Sequence, residues 1–378
     1  MKACKYIVYC LLALALNACR IDPPLHLRQT LDLEVGLELD LSVDLMWQMD
    51  WNAEWQYDWS AEIYGELGYE EPASIRMHAY AHDATGEIAS DQVYNFMGKS
   101  GSLQAVAGVY DFLFYNNDSE TLLFDTSRNA FDVYAYTRVI SPGLQESSSV
   151  MSIRQKQTGT KAAEEMTAAD DPVVLEPDPL VSLLSPSQII SDDPEDYEFI
   201  DGRYVIRISG TLMPANYIYL IQVRLLNNNG RVRGSAGGCA LTGMAGGVDL
   251  RTNITGTETV SVPADLHINR LSDPDLLAAR LVSFGIPGCN GYDPASVAAA
   301  PTGKHFLVLS LAYNNATHKN IHMDVTDQVR ALPTGGVITL ELDVDDFPPE
   351  EGQPGDGGGF NALVQDWDEH VGAVTIIN

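Results

Sequence analysis

"LDLEVGLELDLSVDLMWQMDWNAEWQYDWSAEI", from Leu31 to Ile63, alternates along its whole length. Every odd-numbered residue is apolar, and every even-numbered one is acidic, polar or glycine except Met46. No lysine or arginine falls between Arg28 and Arg76. A strict period of two marks a half-buried β-strand, because successive side chains point to opposite faces. Fully extended, the stretch would reach about 110 Å, whereas a domain of ~170 residues is only about 40 Å across. The ribbon must therefore break into two or three strands, or project in part. A two-residue hairpin would exchange the faces, so the preserved parity calls for three-residue loops, bends or sheet switches. Gly36, Met46 and Asn52 are the expected break points. Trp47, Trp51, Trp55 and Trp59 are also four apart, the spacing of a helix face, but the Leu and Val residues before them and Tyr57 between them favour strand. A tryptophan row on the apolar face ordinarily packs into a core. Exposed, the same row would make a sugar platform, and the chain a surface glycan-binding lipoprotein.

The residues ahead of the ribbon read as an export signal. Lys2 and Lys5 precede an apolar run from Tyr6 to Leu16 that is too short for a membrane-spanning helix. Leu16-Asn17-Ala18-Cys19 is similar to the bacterial lipobox, with Asn17 its unusual member. On this reading 1–18 is a signal peptide, Cys19 is lipidated, and 19–30, stiffened by Pro23-Pro24, is a tether. Several acyl chains on Cys19 would make the anchor stable, since one chain is marginal. The alternative is ordinary signal cleavage beside an incidental cysteine. Cys4 and Cys10 leave with the signal, so Cys239 and Cys289 remain, either bridged as in many exported proteins or as two buried thiols.

The 378 residues carry a formal net charge of −30. That balance speaks against a nucleic-acid partner, because few cations are present to neutralise phosphates. It also speaks against docking on anionic headgroups by charge, which leaves the lipid on Cys19 as the route to the membrane. Beyond the ribbon, further strands are expected over 74–83, 103–118, 130–139, 203–212, 217–226, 231–250, 256–266, 304–315, 319–329, 335–346 and 368–378. Residues 141–200 change character, with a short helix over 161–169 followed by proline-spaced acidic loop, and 349–359 reads as a flexible loop. The expected fold is all-β, with an N-terminal β-sandwich domain over 31–200 that has a loop-rich end and a C-terminal one over 201–378.

No enzymatic constellation stands out. Gly98-Lys99-Ser100 is similar to the end of a phosphate loop, but Val93 stands where the first glycine belongs. His318 and His322 have a zinc-helix spacing, but Lys319 replaces the glutamate and the context is strand. Asp192-Asp193, Asp343, Asp345 and Asp346 lack calcium-loop spacing and read as solvated loops. No catalytic residue, cofactor or metal site is expected.

Several segments together resemble a known family. The lipobox is followed by the ribbon with "MDWNAEWQYDW", then "GVYDFLFYNND", "LTGMAGGVDL", "MDVTDQV" and a final "GGGF…W…VTIIN". In this order they resemble the Bacteroidales fimbrillin-like lipoproteins, the superfamily of type V pilus subunits and their anchors. The resemblance implies two tandem transthyretin-like (Greek-key) β-sandwich domains, lipid attachment to the outer membrane at the cell surface, and a role in fimbriae or related adhesion. It also implies pilus subunits as partners, joined by strand addition after a protease removes an N-terminal strand. Arg28 is the last basic residue before Arg76, so cleavage there would detach the lipid and remove no strand. The ribbon is therefore expected to stay and complete the N-terminal domain, as suits an anchor or accessory subunit.

Overall fold

The computed structural model describes residues 33–38, 55–98, 100–128, 131–140, 171–200, 203–270 and 274–349. Strands dominate. They begin with β1 (Leu33–Glu38), β2 (Ser74–His82), β3 (Ile88–Met97), β4 (Ser100–Ala105), β5 (Gly108–Asn116), β6 (Leu122–Asp125) and β7 (Tyr134–Thr137). Then come β8 (Val181–Ile190), β9 (Glu198–Ile200), β10 (Arg203–Val205), β11 (Met213–Pro214), β12 (Tyr217–Leu226), β13 (Val232–Ala245) and β14 (Gly247–Asp249). The last are β15 (Ile254–Thr255), β16 (Thr259–Ala264), β17 (His267–Asn269), β18 (Asp275–Ser283), β19 (Phe306–Tyr313), β20 (His318–Asp324) and β21 (Gly336–Asp343). Short helices lie at α1 (Ala61–Tyr64), α2 (Pro294–Ala299) and α3 (Thr326–Ala331).

The N-terminal half is organised by a five-stranded antiparallel sheet in the order β11-β8-β5-β2-β3. Both faces of its central strands β2 and β5 are buried. Ile75, Met77 and Ala79 of β2 and Phe112 and Phe114 of β5 face one core, closed by Leu103, Ala105, Ile208 and Leu212. Tyr80, Leu113 and Tyr115 face another, closed by Leu122, Val133, Ala135 and Val248. The alternation of β2 in the sequence marks only the first face. His78 and Tyr80, at the intervening positions, are buried too, because the sheet β15-β14-β7-β6 lies on them.

That covering sheet draws on both halves of the chain. Tyr134 pairs with Asp249, Ala135 with Val248 and Tyr136 with Gly247. A Cβ at Gly247 would stand 2.4 Å from the Ala135 carbonyl oxygen, so only glycine fits this close approach. Strand pairing, beyond any linker, thus ties the two halves together.

The C-terminal half is a sandwich of the sheets β17-β18-β12-β21 and β16-β13-β19-β20. Its pairs are antiparallel except β12 with β21. Tyr219, Ile221, Val223 and Leu225 of β12 meet Leu241, Leu307, Leu309 and Leu311 of the facing sheet in the largest core. Ile218 and Leu220, on the outer face of the same strand, are just as buried.

The all-β expectation holds, and the differences from it are local. Residues 181–190, expected as loop, form β8 inside the five-stranded sheet. Pro186 and the serines suggested a loop, but the proline sits at a register shift, where a missing N–H is tolerated. There Ser187 takes φ 54° and its N–H donates to Asp111 Oδ1 at 2.8 Å. β3 and β18 lie outside the expected strands as well; the Leu, Ala and Arg of β18 are helix formers that tertiary pairing overrides. The strand expected over 203–212 stops at Val205, and the one over 319–329 stops at Asp324. Asp324 Oδ1 accepts from the Thr326 N–H at 3.0 Å, where α3 begins. The helix over 161–169, the strand over 368–378 and residues 350–359 lie outside the described residues.

Of the two alternatives for Cys239 and Cys289, the structure has the pair of buried free thiols. Cys239 is fixed in mid-sheet opposite Ala264 on one side and Leu309 on the other. Cys289 is held by its own contacts: its N–H donates to Thr255 Oγ1 at 3.1 Å and its Sγ lies 3.5 Å from the Ile286 carbonyl oxygen. Burial pushes both thiols up. Both should therefore resist alkylation in the native protein and react after denaturation. A Cys239–Cys289 peptide in an unreduced digest would contradict this arrangement.

Candidate functional site

Two parts of the alternating ribbon are described, and they go to different places. The first is β1, which pairs antiparallel with β4: Leu33 stands opposite Ala105, Val35 opposite Leu103 and Leu37 opposite Gly101. Leu103 and Ala105 are buried in the core beneath the five-stranded sheet. The register therefore sets odd-numbered positions of β1 against the core-facing positions of β4, in the parity the sequence predicts. On its other flank, β10 comes within 8 Å of β1 (Cα to Cα), although the two are not paired. β1 thus fills a slot between β4 and the β9–β10 hairpin. Gly101 lines it because the Phe96 ring occupies the space a Cβ would need.

The second part, 55–63, departs from expectation. It is irregular up to Ser60 and then turns into α1, so Ile63 is exposed although its parity places it inward. It does not complete the N-terminal core. It runs as a belt over the outer face of the β17-β18-β12-β21 sheet. Tyr57 is buried on Leu276 and Ala278. Trp55, Leu67 and Tyr69 cover Ile218, Leu220, Val282 and Val337. The physical cause is that β12 and β18 are apolar on both faces, and the outer one needs a cover.

Polar contacts pin the belt. Gln222 Oε1 accepts from the Gln56 N–H at 3.0 Å, and its Nε2 donates to Thr339 Oγ1 at 2.9 Å. Arg280 Nε donates to the Leu67 carbonyl at 3.1 Å and Nη2 to that of Gly68 at 3.3 Å. Its Nη1 lies 3.7 Å from Glu176, whose Oε1 accepts from the Val282 N–H at 2.8 Å. Burial pushes the Glu176 carboxyl up to about 7, with Arg280 only partly opposing.

Trp55 and Trp59 are half-buried in an aromatic cluster. The Trp59 ring is 5.0 Å from Tyr64 and 5.6 Å from His267, and Tyr64 is 4.0 Å from His267. The described half of the tryptophan row is therefore packing rather than an open platform. Trp47 and Trp51, like Cys19, lie outside the described residues.

Two hydrogen-bonded groups escape the sequence reading because their members come from separate strands. His78 bridges Asp91 Oδ2, at 2.9 Å from Nδ1, and the Tyr115 hydroxyl, at 3.0 Å from Nε2. Tyr115 is fully buried under Phe124, so this chain faces no substrate space. Asp111 lies 3.1 Å from His82 and 3.2 Å from Arg251, joining the five-stranded sheet to the loop after β14. Of the acidic clusters, Asp343 accepts from Asn227 and from the Asp345 N–H, Asp345 pairs with Arg231, and Asp193 accepts from the Glu195 N–H. His318 and His322 lie on β20, the expected strand. Among the described residues, no group of three or more His, Cys, Asp or Glu side chains could hold a metal ion. No helix there is long and apolar enough to cross a membrane.

Residues 53–265, from the start of the belt through β16, match the family described as a domain of unknown function, DUF5119. The chain belongs to the DUF5119 family. The match thus takes in the belt, the five-stranded sheet and the covering sheet shared by both halves. No curated protein matches this DUF5119 chain. Similar solved structures include a candidate adhesin from Bacteroides ovatus, 15% identical over 84% of this chain and 94% of that one, with a TM-score of 0.46. The fimbrial anchor protein Mfa2 from Porphyromonas gingivalis is 11% identical over 82% and 90%, with a TM-score of 0.39. A candidate polysaccharide-binding protein from Bacteroides thetaiotaomicron is 7% identical over 82% and 91%, with a TM-score of 0.41.

Proposed function

We propose that this protein is a non-enzymatic, surface-exposed lipoprotein of the outer membrane that serves as a fimbrial anchor or accessory subunit in adhesion. Its two halves are read as tandem transthyretin-like sandwiches, and Cys19 as the lipidated residue. The observation that carries the reading is β1 in its slot beside β4, supplied by the chain itself and followed in sequence by the belt. In assembly by strand addition, affinity comes from main-chain pairing along an open edge. A subunit whose slot is filled by its own chain has no vacancy there to receive a neighbour. Cleavage after Arg28 would release the tether and leave both β1 and the belt in place. Retention of these segments suits the end of a fibre, fixed to the membrane, better than its repeating stalk.

Cys19→Ser should abolish labelled-palmitate uptake and fractionation with the outer membrane. A variant that still takes up the label and stays with the membrane would contradict Cys19 as the anchor. Terminal sequencing of the surface-assembled form should find a blocked Cys19. A folded form in fibres that begins after Glu38 would instead make the chain a stalk subunit.

A further inference from the structure

We propose that the outer edge of β3 pairs antiparallel with β3 of a second copy of this chain, joining two five-stranded sheets into one. β3 ends the order β11-β8-β5-β2-β3. One side is paired to β2 in register from Met97 opposite Ser74 to Ser90 opposite Ala81, with a bulge at Ala89 before Ile88 meets His82. The other has no strand partner among the described residues. A long, bare edge is a template for strand addition, and folded proteins usually blunt it.

Other edges of this molecule are blunted. On β21, Gln328 mimics a further strand: its Nε2 donates to the Thr339 carbonyl at 3.1 Å and its Oε1 accepts from the Thr339 N–H at 3.0 Å. β16 contains Pro263 and is flanked by 172–174, with the Ser261 N–H donating to the Pro172 carbonyl at 3.0 Å. β20 carries His318, Lys319 and Asp324, and β11 is two residues ending in Pro214. The ten residues of β3 include no proline and one charge, Asp91, which lies 2.9 Å from His78. Val93 and Met97 on this edge are 50% and 87% exposed.

The occupant follows from charge and symmetry. Two chains of net charge −30 repel wherever carboxylates meet, and β3 is an edge where they scarcely do. A register centred on Val93 sets Val93 against Val93 of the second copy and Asp91 against Asn95, within the regular part of the strand from Ser90 to Met97. No carboxylate then faces another, and a two-fold axis midway between the two Val93 residues, perpendicular to the sheet, continues each face. A foreign strand would need no such self-complementarity.

The test uses the full chain in detergent, with cysteine introduced at single sites and cross-links mapped by mass spectrometry. Val93→Cys should form a 93–93 disulfide about tenfold faster than Phe199→Cys, an exposed site off the edge, because pairing raises the local concentration. Mixed Asp91→Cys and Asn95→Cys chains should link to each other. Sedimentation equilibrium should find a dimer, and Val93→Lys, with unchanged circular dichroism, should return it to one copy. Equal rates at 93 and 199, a single-copy mass for the unsubstituted chain, or cross-links from position 93 to another protein in membranes would each overturn the proposal.

Discussion

Tyr57→Asp is expected to destabilise the C-terminal sandwich by about 4 kcal/mol, although residue 57 precedes every strand of that sandwich. The ring is 5% exposed and rests on Leu276 and Ala278. The substitution removes an aromatic side chain from an apolar site and leaves an unpaired carboxylate in its place. Asp58→Asn, on the exposed side of the belt, should stay within about 0.5 kcal/mol of the parent. Hydrogen exchange distinguishes the belt from the alternative in which the ribbon completes the N-terminal core. Protection should fall first in β12 and β18. A loss that begins in β2 and β5 would show that the belt does not stabilise the sheet on which it lies.

Acidification should cost the same sandwich about 3 kcal/mol through His305 alone. Burial pushes this imidazole down to about 4, and Arg330 adds to the shift. An unfolded histidine titrates near 6.5, so the fold favours the neutral ring. The contribution is complete above pH 6.5 and is lost as the pH falls through the folded value. His305→Leu should flatten the loss of thermal stability between pH 7 and 4. Parallel profiles for the two proteins would mean that the ring is not held neutral. Glu176 acts with the opposite sign. Its raised folded value makes its contribution complete below the ordinary carboxylate range and lost as pH rises through about 7. Glu176→Gln should therefore remove a decline at the neutral end while leaving the His305 contribution on the acid side unchanged.

Single segments are legible where a run of aromatic and branched residues bounded by turns marks a strand, even one buried on both faces. Residues 103–118 and 304–315 contain β4, β5 and β19 as expected. Where two layers cover both faces, alternation fades, as in β12, or misleads, as in β2, whose His78 lies deep between two sheets. β8 and β18 were hidden for a related reason. A proline at a register shift and a run of helix formers are local signals, and pairing on both sides outweighs them. The free thiols belong here too: two cysteines in one exported chain suggest a bridge, but only packing decides whether their sulfurs can meet.

The ribbon shows the division most plainly. By itself the sequence determined that the chain is built of strands, and that from Leu31 to Tyr57 and Trp59 one parity must find cover. That much follows from the two-residue period of an extended backbone. Parity, however, specifies that a face is buried and not what buries it. Only the tertiary structure decided that β1 lies against β4 while Trp55, Tyr57 and Trp59 cross to the C-terminal sheet. Hydrophobic burial has no direction of its own, so the belt went to the apolar face left uncovered by the strands of β12 and β18.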